Sequence, residues 1–294
     1  MKTPRIFIFI ILTLLWIPAC TNAAQPFSDQ PIKVMAAESF LTDITQQVAG
    51  NRIKIEGLIP VGMEPHAYEP TPRDVARVAE SDLLIISGAG LEEWLKGILT
   101  NIGGSEKIIE SSAGLTAVNG DPHFWLDPNL VLAYVDNIRD ALARIDPDGK
   151  NDYLSNAAAY KQSLLELDAW IKQEVEKIPP ANRLLVTNHE TLGYFANRYG
   201  FQVIGSLLAS LSSEASPSPR DLAQLSDNLR TLSVRVIFLD VGNNPRLAEQ
   251  IAAETNAKII TNLYSESLSP AGGPAATYLD MMKHNVSVIV SALQ

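Results

Sequence analysis

Between Asn151 and Pro180 the chain reads "NDYLSNAAAYKQSLLELDAWIKQEVEKIPP", with no glycine or proline until it stops. Strong helix formers fill this stretch, which predicts one helix of about 27 residues, roughly 40 Å long at 1.5 Å per residue. An ordinary helix has about 11–12 residues. So long a rod is read as a rigid strut between two lobes; the alternative is a long surface helix of a single domain. It therefore fixes the question that the rest of the chain has to answer: whether each side of it can build a sheet.

Both sides can. Short apolar runs alternate with helical patterns, the signature of α/β architecture. Before the strut the candidate strands are 32–36, 53–59, 83–87 and 107–109; after it they are 184–187, 203–205, 234–239 and 258–261. Helix-like segments lie between them, among them "SFLTDITQQVAG", "TPRDVARVAES" and "SPRDLAQLSDNLRTL". Each opens on Ser or Thr, and two carry proline near the first turn, as helix starts do. The expected fold is two α/β lobes, each a mainly parallel four-stranded sheet flanked by helices. The expected boundaries are 31–150 for the first lobe, 151–180 for the linking helix and 181–294 for the second lobe.

The N-terminus carries a different message. "MKTPRIFIFIILTLLWIPAC" has a basic start and an apolar run from Ile6 to Ile17, too short to span a bilayer comfortably, and reads as an export signal over residues 1–19. It ends at Cys20, the only cysteine in the chain, so no internal disulfide can form. The placement resembles a lipoprotein box in which Cys20 is lipidated and becomes the mature N-terminus. Pro18 departs from the small residue usual there, and cleavage near Ala23-Ala24 is the alternative. Residues 20–30 read as a polar tether, and the protein as exported and membrane-anchored, facing the periplasm or outer surface.

The formal net charge is -10, and no basic run or basic–aromatic pattern appears, which argues against nucleic acid as a partner. An acidic surface mildly favours cations.

The chain has four histidines. His66 sits in "GMEPHAYEPTPRD", where three prolines forbid a helix and stiffen the loop. His123 lies in "NGDPHFWLDP", and His189 directly follows the candidate strand "RLLVTN". All three stand at or beyond the C-terminal end of a strand, the edge where α/β folds bind ligands. His284 falls inside a terminal helical pattern and reads as structural or surface. Imidazole is the commonest metal ligand among side chains, and a carboxylate would complete a four-donor set. Composition alone cannot choose it from 33 acidic residues.

Taken together, "GMEPHAYEPTPRD", "DPHFWLDP", "TNHETLGYFANRYGF", "SEASPSPRDLAQL" and "NLYSESLS" resemble the metal-specific substrate-binding lipoproteins of ABC importers, the zinc- and manganese-type family called cluster A-I. The resemblance runs from about Ile32 to Leu293. It implies two lobes joined by a long rigid helix with a divalent metal clamped between them. It carries the family's ligand positions onto His66, His123, His189 and Glu266. The last is a departure, since aspartate is usual there. Glu64, Asp121, Asp127 and Glu190 are close enough in sequence to hydrogen-bond the ligand histidines, with plain surface exposure as the alternative for each. Three nitrogens and one carboxylate suit zinc, with manganese next and iron(II) after it. The long histidine-rich loop of many zinc members is absent: the region before "DPH" is only "SSAGLTAVNG". The implied partners are an importer permease and its ATPase, with the chain itself a monomer.

Rival readings fare worse. His189-Glu190 continues Thr191-Leu192-Gly193, so the zinc-hydrolase pattern H-E-x-x-H fails at its second histidine. There is no G-x-S-x-G elbow or phosphate-binding P-loop, and "GAGLEE" lacks the third glycine of a dinucleotide fingerprint. No enzyme is expected. A surface adhesin is the alternative that lipid anchoring would also serve.

Overall fold

The first four strands form one parallel sheet in the order β2-β1-β3-β4, with β1 at Val34–Ala36, β2 at Ile55–Gly57, β3 at Leu83–Ile86 and β4 at Ile108–Glu110. The computed structural model describes residues 31–95, 97, 107–212 and 217–294. The export signal, Cys20 and the tether lie outside the described residues. Side chains alternate between faces along each strand, as a period of two requires. Val34 and Ala36 of β1 join Leu83 and Ile85 of β3 in the main core, while Met35, Leu84 and Ile86 face a second cluster with Leu58, Tyr68 and Val78.

In the second half β5 (Leu184–Thr187) pairs in parallel with β6 (Gln202–Ser206), and β7 (Val236–Asp240) with β8 (Lys258–Leu263). The sequence predicts one four-stranded sheet here. All four strands are present, but they form two hydrogen-bonded pairs, with β5 packed beside β7. Each pair carries a register shift, between Leu185 and Val186 and between Phe238 and Asp240. Such shifts add local twist, which leaves β5 and β7 adjacent without a regular ladder between them.

The long helix is real and slightly shorter than expected. It spans Lys150–Val175, 26 residues, and we label it α4, after α1 (Ser39–Ala49), α2 (Pro72–Glu80) and α3 (Val131–Ile145). Its final turn tightens at Lys177 and Ile178, whose N–H groups bond carbonyls three residues back, and Pro179 then ends it. Tyr153, Ala157, Tyr160, Leu164, Leu167, Ile171 and Val175 are buried along it. Their spacing of three and four residues makes one continuous stripe. The stripe packs against α1 and α3 from the first half and against α5 (Gly193–Tyr199) and α8 (Tyr278–Leu293) from the second. The C-terminal helix α8 also reaches α1, so the two halves share one core around the strut.

The predicted caps divide. Thr71 forms a full capping box with Asp74 at α2, and Ser218 accepts the Asp221 N–H at α6 (Pro219–Thr231), which is followed by α7 (Arg246–Thr255). At α1 the cap position is Glu38, whose side chain caps nothing. Ser39 directs its hydroxyl elsewhere, to the far half of the molecule.

The "GAGLEE" segment closes on itself. Gly88, Ala89 and Gly90 all have positive φ, 88°, 55° and 91°, which opens a backbone pocket. The Glu92 carboxylate fills it, accepting the Ser87 N–H at 2.7 Å and the Gly88 N–H at 3.1 Å. The buried Glu38 carboxyl group lies against Glu92, and burial together with that neighbouring charge holds Glu38 well above the usual carboxylate range. A turn already occupied by its own carboxylate has no room for a phosphate.

Candidate metal centre

His66, His123, His189 and Glu266 meet in one place, each offering a donor atom within 4.8 Å of the others. A single oxygen, Oε1 of Glu266, lies 3.0 Å from His189 Nε2, 3.2 Å from His66 Nε2 and 3.4 Å from His123 Nε2. The Nε2 atoms of His66 and His123 are 3.2 Å apart. A tetrahedral ion with bonds of about 2.0–2.1 Å sets its donors about 3.3–3.4 Å apart. The cluster therefore has the dimensions of a four-donor cation site. It is also shielded: His123 is fully buried, His189 and Glu266 nearly so, and the His66 side chain is 8% exposed.

Each donor is held by its own local chemistry. His66 stands on the proline-braced loop after β2. Glu64 folds back there to accept the His66 and Ala67 N–H groups at 3.0 and 3.1 Å, and Trp94 Nε1 donates to the Pro65 carbonyl. His123 follows β4 and the 111–122 loop. Asp121 Oδ1 takes both its backbone N–H, at 2.9 Å, and its ring Nδ1–H, at 2.7 Å. That pair of hydrogen bonds to one carboxylate fixes the tautomer and turns Nε2 toward the cluster. His189 lies two residues beyond β5, its carbonyl accepting from Thr187 Oγ1 at 2.6 Å, and its buried Nδ1 has no hydrogen-bond partner among the described residues.

Glu266 sits in the loop from β8 to α8, and that loop is gripped from both halves. Asn285 of α8 bonds both the N–H and the carbonyl of Tyr264, and Asp240 at the end of β7 accepts the Ser265 N–H at 2.5 Å. From the first half, Trp125 Nε1 donates to the Ser265 carbonyl at 2.6 Å, and the Gly62 N–H donates to Ser267 Oγ at 2.7 Å. Ser39 Oγ accepts the Leu268 N–H at 2.9 Å and lies 3.1 Å from Ser267 Oγ. Trp125 is itself stacked on Phe40, and its carbonyl accepts from the Tyr278 hydroxyl.

The electrostatics follow from this packing. Burial alone would lower the His123 imidazole, but Asp121 and Glu266 override it and raise its pKa to about 9. Burial would raise Glu266, yet the three histidines hold it well below the usual carboxylate range. Asp240 is raised, first by burial and then by the charge of Glu266.

The four carboxylates expected near the histidines take different places. Asp121 bonds the His123 ring. Glu64 bonds backbone N–H groups of the His66 loop rather than closing on a ring nitrogen. Asp127 accepts the Asn129 N–H and pairs with Arg198 at 3.3 Å, because Arg198 reaches across from α5 to both Asp127 and Asp168. Glu190 is exposed on the turn after His189. The sequence marks Ser39 only as a cap and carries no functional signal for Trp125, Asp240 or Gly193 as site residues, save one. Of these only Asp240 had a legible signal, as a carboxylate at the C-terminal end of a strand.

His284 donates its Nε2–H to the Asn262 carbonyl at 2.8 Å, away from the cluster. No helix among the described residues is long and apolar enough to cross a membrane.

Comparison with known proteins places the chain in a family. Residues 34–292 match the family described as ZnuA, zinc-uptake complex component A, periplasmic. The manganese-binding lipoprotein MntA of Halalkalibacterium halodurans is 33% identical over 98% of each chain. The Mn-bound periplasmic metal binding protein of Candidatus Liberibacter asiaticus superposes with a TM-score of 0.81 at 30% identity, covering 90% of this chain and all of that one. The periplasmic zinc binding protein TroA of Treponema pallidum gives 0.83 at 26% identity, over 90% and 99%. A match across nearly the whole described body, on a two-lobed α/β fold with a four-donor cluster between its strand edges, leaves one assignment: the chain belongs to the family of periplasmic component A of zinc-uptake complexes, the solute-binding proteins of metal importers.

Proposed function

We propose that this protein captures a divalent transition-metal ion outside the cytoplasmic membrane and delivers it to the permease of an ABC importer driven by its ATPase. The observation that carries the reading is the convergence of His66, His123, His189 and Glu266 on one point, with Glu266 Oε1 within 3.4 Å of three imidazole nitrogens. Four protein donors around a tetrahedral ion leave no open position for an activated water, so the site suits holding rather than catalysis. We take the lobes as residues 31–150 and 181–294, with the strut at 151–180, and the chain as a monomer tethered through a lipid on Cys20.

Zinc is the first reading of the cargo, because three nitrogens and a carboxylate at these spacings suit it. Manganese is the second, favoured by the manganese-binding name of a relative at 33% identity. Metal analysis of purified protein, with zinc and manganese then competed against each other at equilibrium, separates them. Glu266→Ala and His66→Ala are expected to abolish tight binding; wild-type affinity in either would remove that residue from the ligand set.

A further inference from the structure

Ser265, the residue before Glu266, has its two backbone groups held from opposite halves of the molecule. Asp240 of β7 accepts its N–H at 2.5 Å, and Trp125 Nε1 donates to its carbonyl at 2.6 Å. That carbonyl shares a rigid peptide plane with the Glu266 N–H. The other bonds from the first half, through Ser267 Oγ and the Leu268 N–H, attach beyond Glu266. Trp125 therefore fixes the plane from which the Glu266 side chain departs.

The same indole touches the nitrogen side of the cluster. Its ring meets the His123 imidazole edge to face, with centroids 5.1 Å apart and planes at 63°. Its opposite support is Phe40 of α1, stacked at 4.5 Å, and the Tyr278 hydroxyl donates to its backbone carbonyl at 2.6 Å. Trp125 is completely buried. An indole held by Phe40, His123 and Ser265 at once cannot turn without leaving one of them. One stiff side chain thus sets the spacing between a proposed nitrogen donor and the proposed oxygen donor.

We infer that Trp125 is a positioning residue that sets how far Glu266 reaches toward the three histidines, and through that spacing biases the site toward zinc over manganese. Glu266 Oε1 stands 3.0, 3.2 and 3.4 Å from the three Nε2 atoms, close to the edge of a tetrahedron around a zinc-sized ion. Manganese favours more oxygen donors, from carboxylates and water. With the indole bond gone, Asp240 alone holds Ser265, and Glu266 is free to draw back. A wider cage admits a second carboxylate oxygen or a water, which serves manganese and weakens the tetrahedral fit. This inference rests on reading the cluster as the capture site.

Trp125→Phe tests it, because phenylalanine keeps an aromatic ring against Phe40 and His123 and removes the indole N–H. Zinc and manganese affinities of wild type and variant are measured by competition against a chelator. We expect zinc affinity to fall about three- to tenfold, the range that one hydrogen bond covers. Manganese affinity should fall less or rise, so that the ratio moves toward manganese. Equal losses for the two metals, a larger loss for manganese, or unchanged affinities would each overturn the inference. Should Trp125→Phe not fold, benzothienylalanine incorporated at position 125 replaces the N–H by sulfur in nearly the same shape. It should move the ratio in the same direction, and a wild-type ratio there would equally overturn the inference. Failure of the wild-type protein to bind either metal tightly would instead defeat the capture reading itself, before any variant is compared.

Discussion

Asp121 and Gly193 touch across the molecule: a β-carbon added to Gly193 would lie 2.7 Å from Asp121 Oδ2. The other oxygen of the same carboxylate holds the His123 ring. The missing side chain at the start of α5 therefore makes room for the group that orients a proposed metal ligand.

Gly193→Ala should push Asp121 off His123 and lower metal affinity by about 10- to 100-fold, the usual cost of losing a partner behind a ligand histidine. Competition titration against a chelator measures it, with Asp121→Asn as the comparison. A Gly193→Ala protein of wild-type affinity would show that the carboxylate can shift without releasing the ring.

With its pKa near 9, His123 is protonated at neutral pH in the metal-free geometry. The bound metal must displace that proton, so affinity should rise with pH through neutrality and flatten above about 9. It should keep falling on acidification toward pH 5, because a histidine binds metal only in its unprotonated form. Calorimetry in two buffers of different ionisation enthalpy should detect about one proton released per metal at pH 7.5. No release would contradict histidine ligation.

Asp168 on the strut accepts from Arg198 at 2.8 and 2.9 Å, and also from Lys172 and Tyr199. Burial alone would raise its pKa, but these partners outweigh burial and hold it far below the usual value. A lowered folded-state pKa stabilises above the unfolded value of about 3.9 and is lost as pH falls below it. Asp168→Asn should cost about 1.5–3 kcal/mol at pH 7, with the gap to wild type closing below pH 4. Urea unfolding at several pH values reads this directly, and a constant gap would exclude the ion pair as its source.

The strut and the shared core limit how the halves can move. Crystals grown with and without metal should differ by a small tilt and by rearrangement of the Glu266 loop. Rotation of the halves by tens of degrees would require α4 or its packing on α1, α3, α5 and α8 to break.

Much of this was readable from the sequence because its causes are local. The strand runs, the glycine-free strut and the loop histidines are set by periodicity and by proline, within a few residues of one another. Asp121 is legible for the same reason, standing two residues before the ring it bonds. Asp127 looks equivalent on paper, yet Arg198 claims it from 71 positions away. The Ser39 hydroxyl, a cap by pattern, is drawn to Leu268 instead. Glu266 was reached through family resemblance, since spacing cannot choose one carboxylate among 33. The second sheet shows the same limit: four strands are visible in the sequence, while the break between their pairs depends on twist accumulated in three dimensions.

The first and last of the four proposed donors, His66 and Glu266, are separated by about two-thirds of the chain. An unfolded molecule therefore owns no metal site, and binding favours the folded state by mass action. A loaded molecule opens less often than an empty one and presents fewer unfolded segments to a protease. Metal supply should thereby lengthen the survival of each copy as well as determine what it carries.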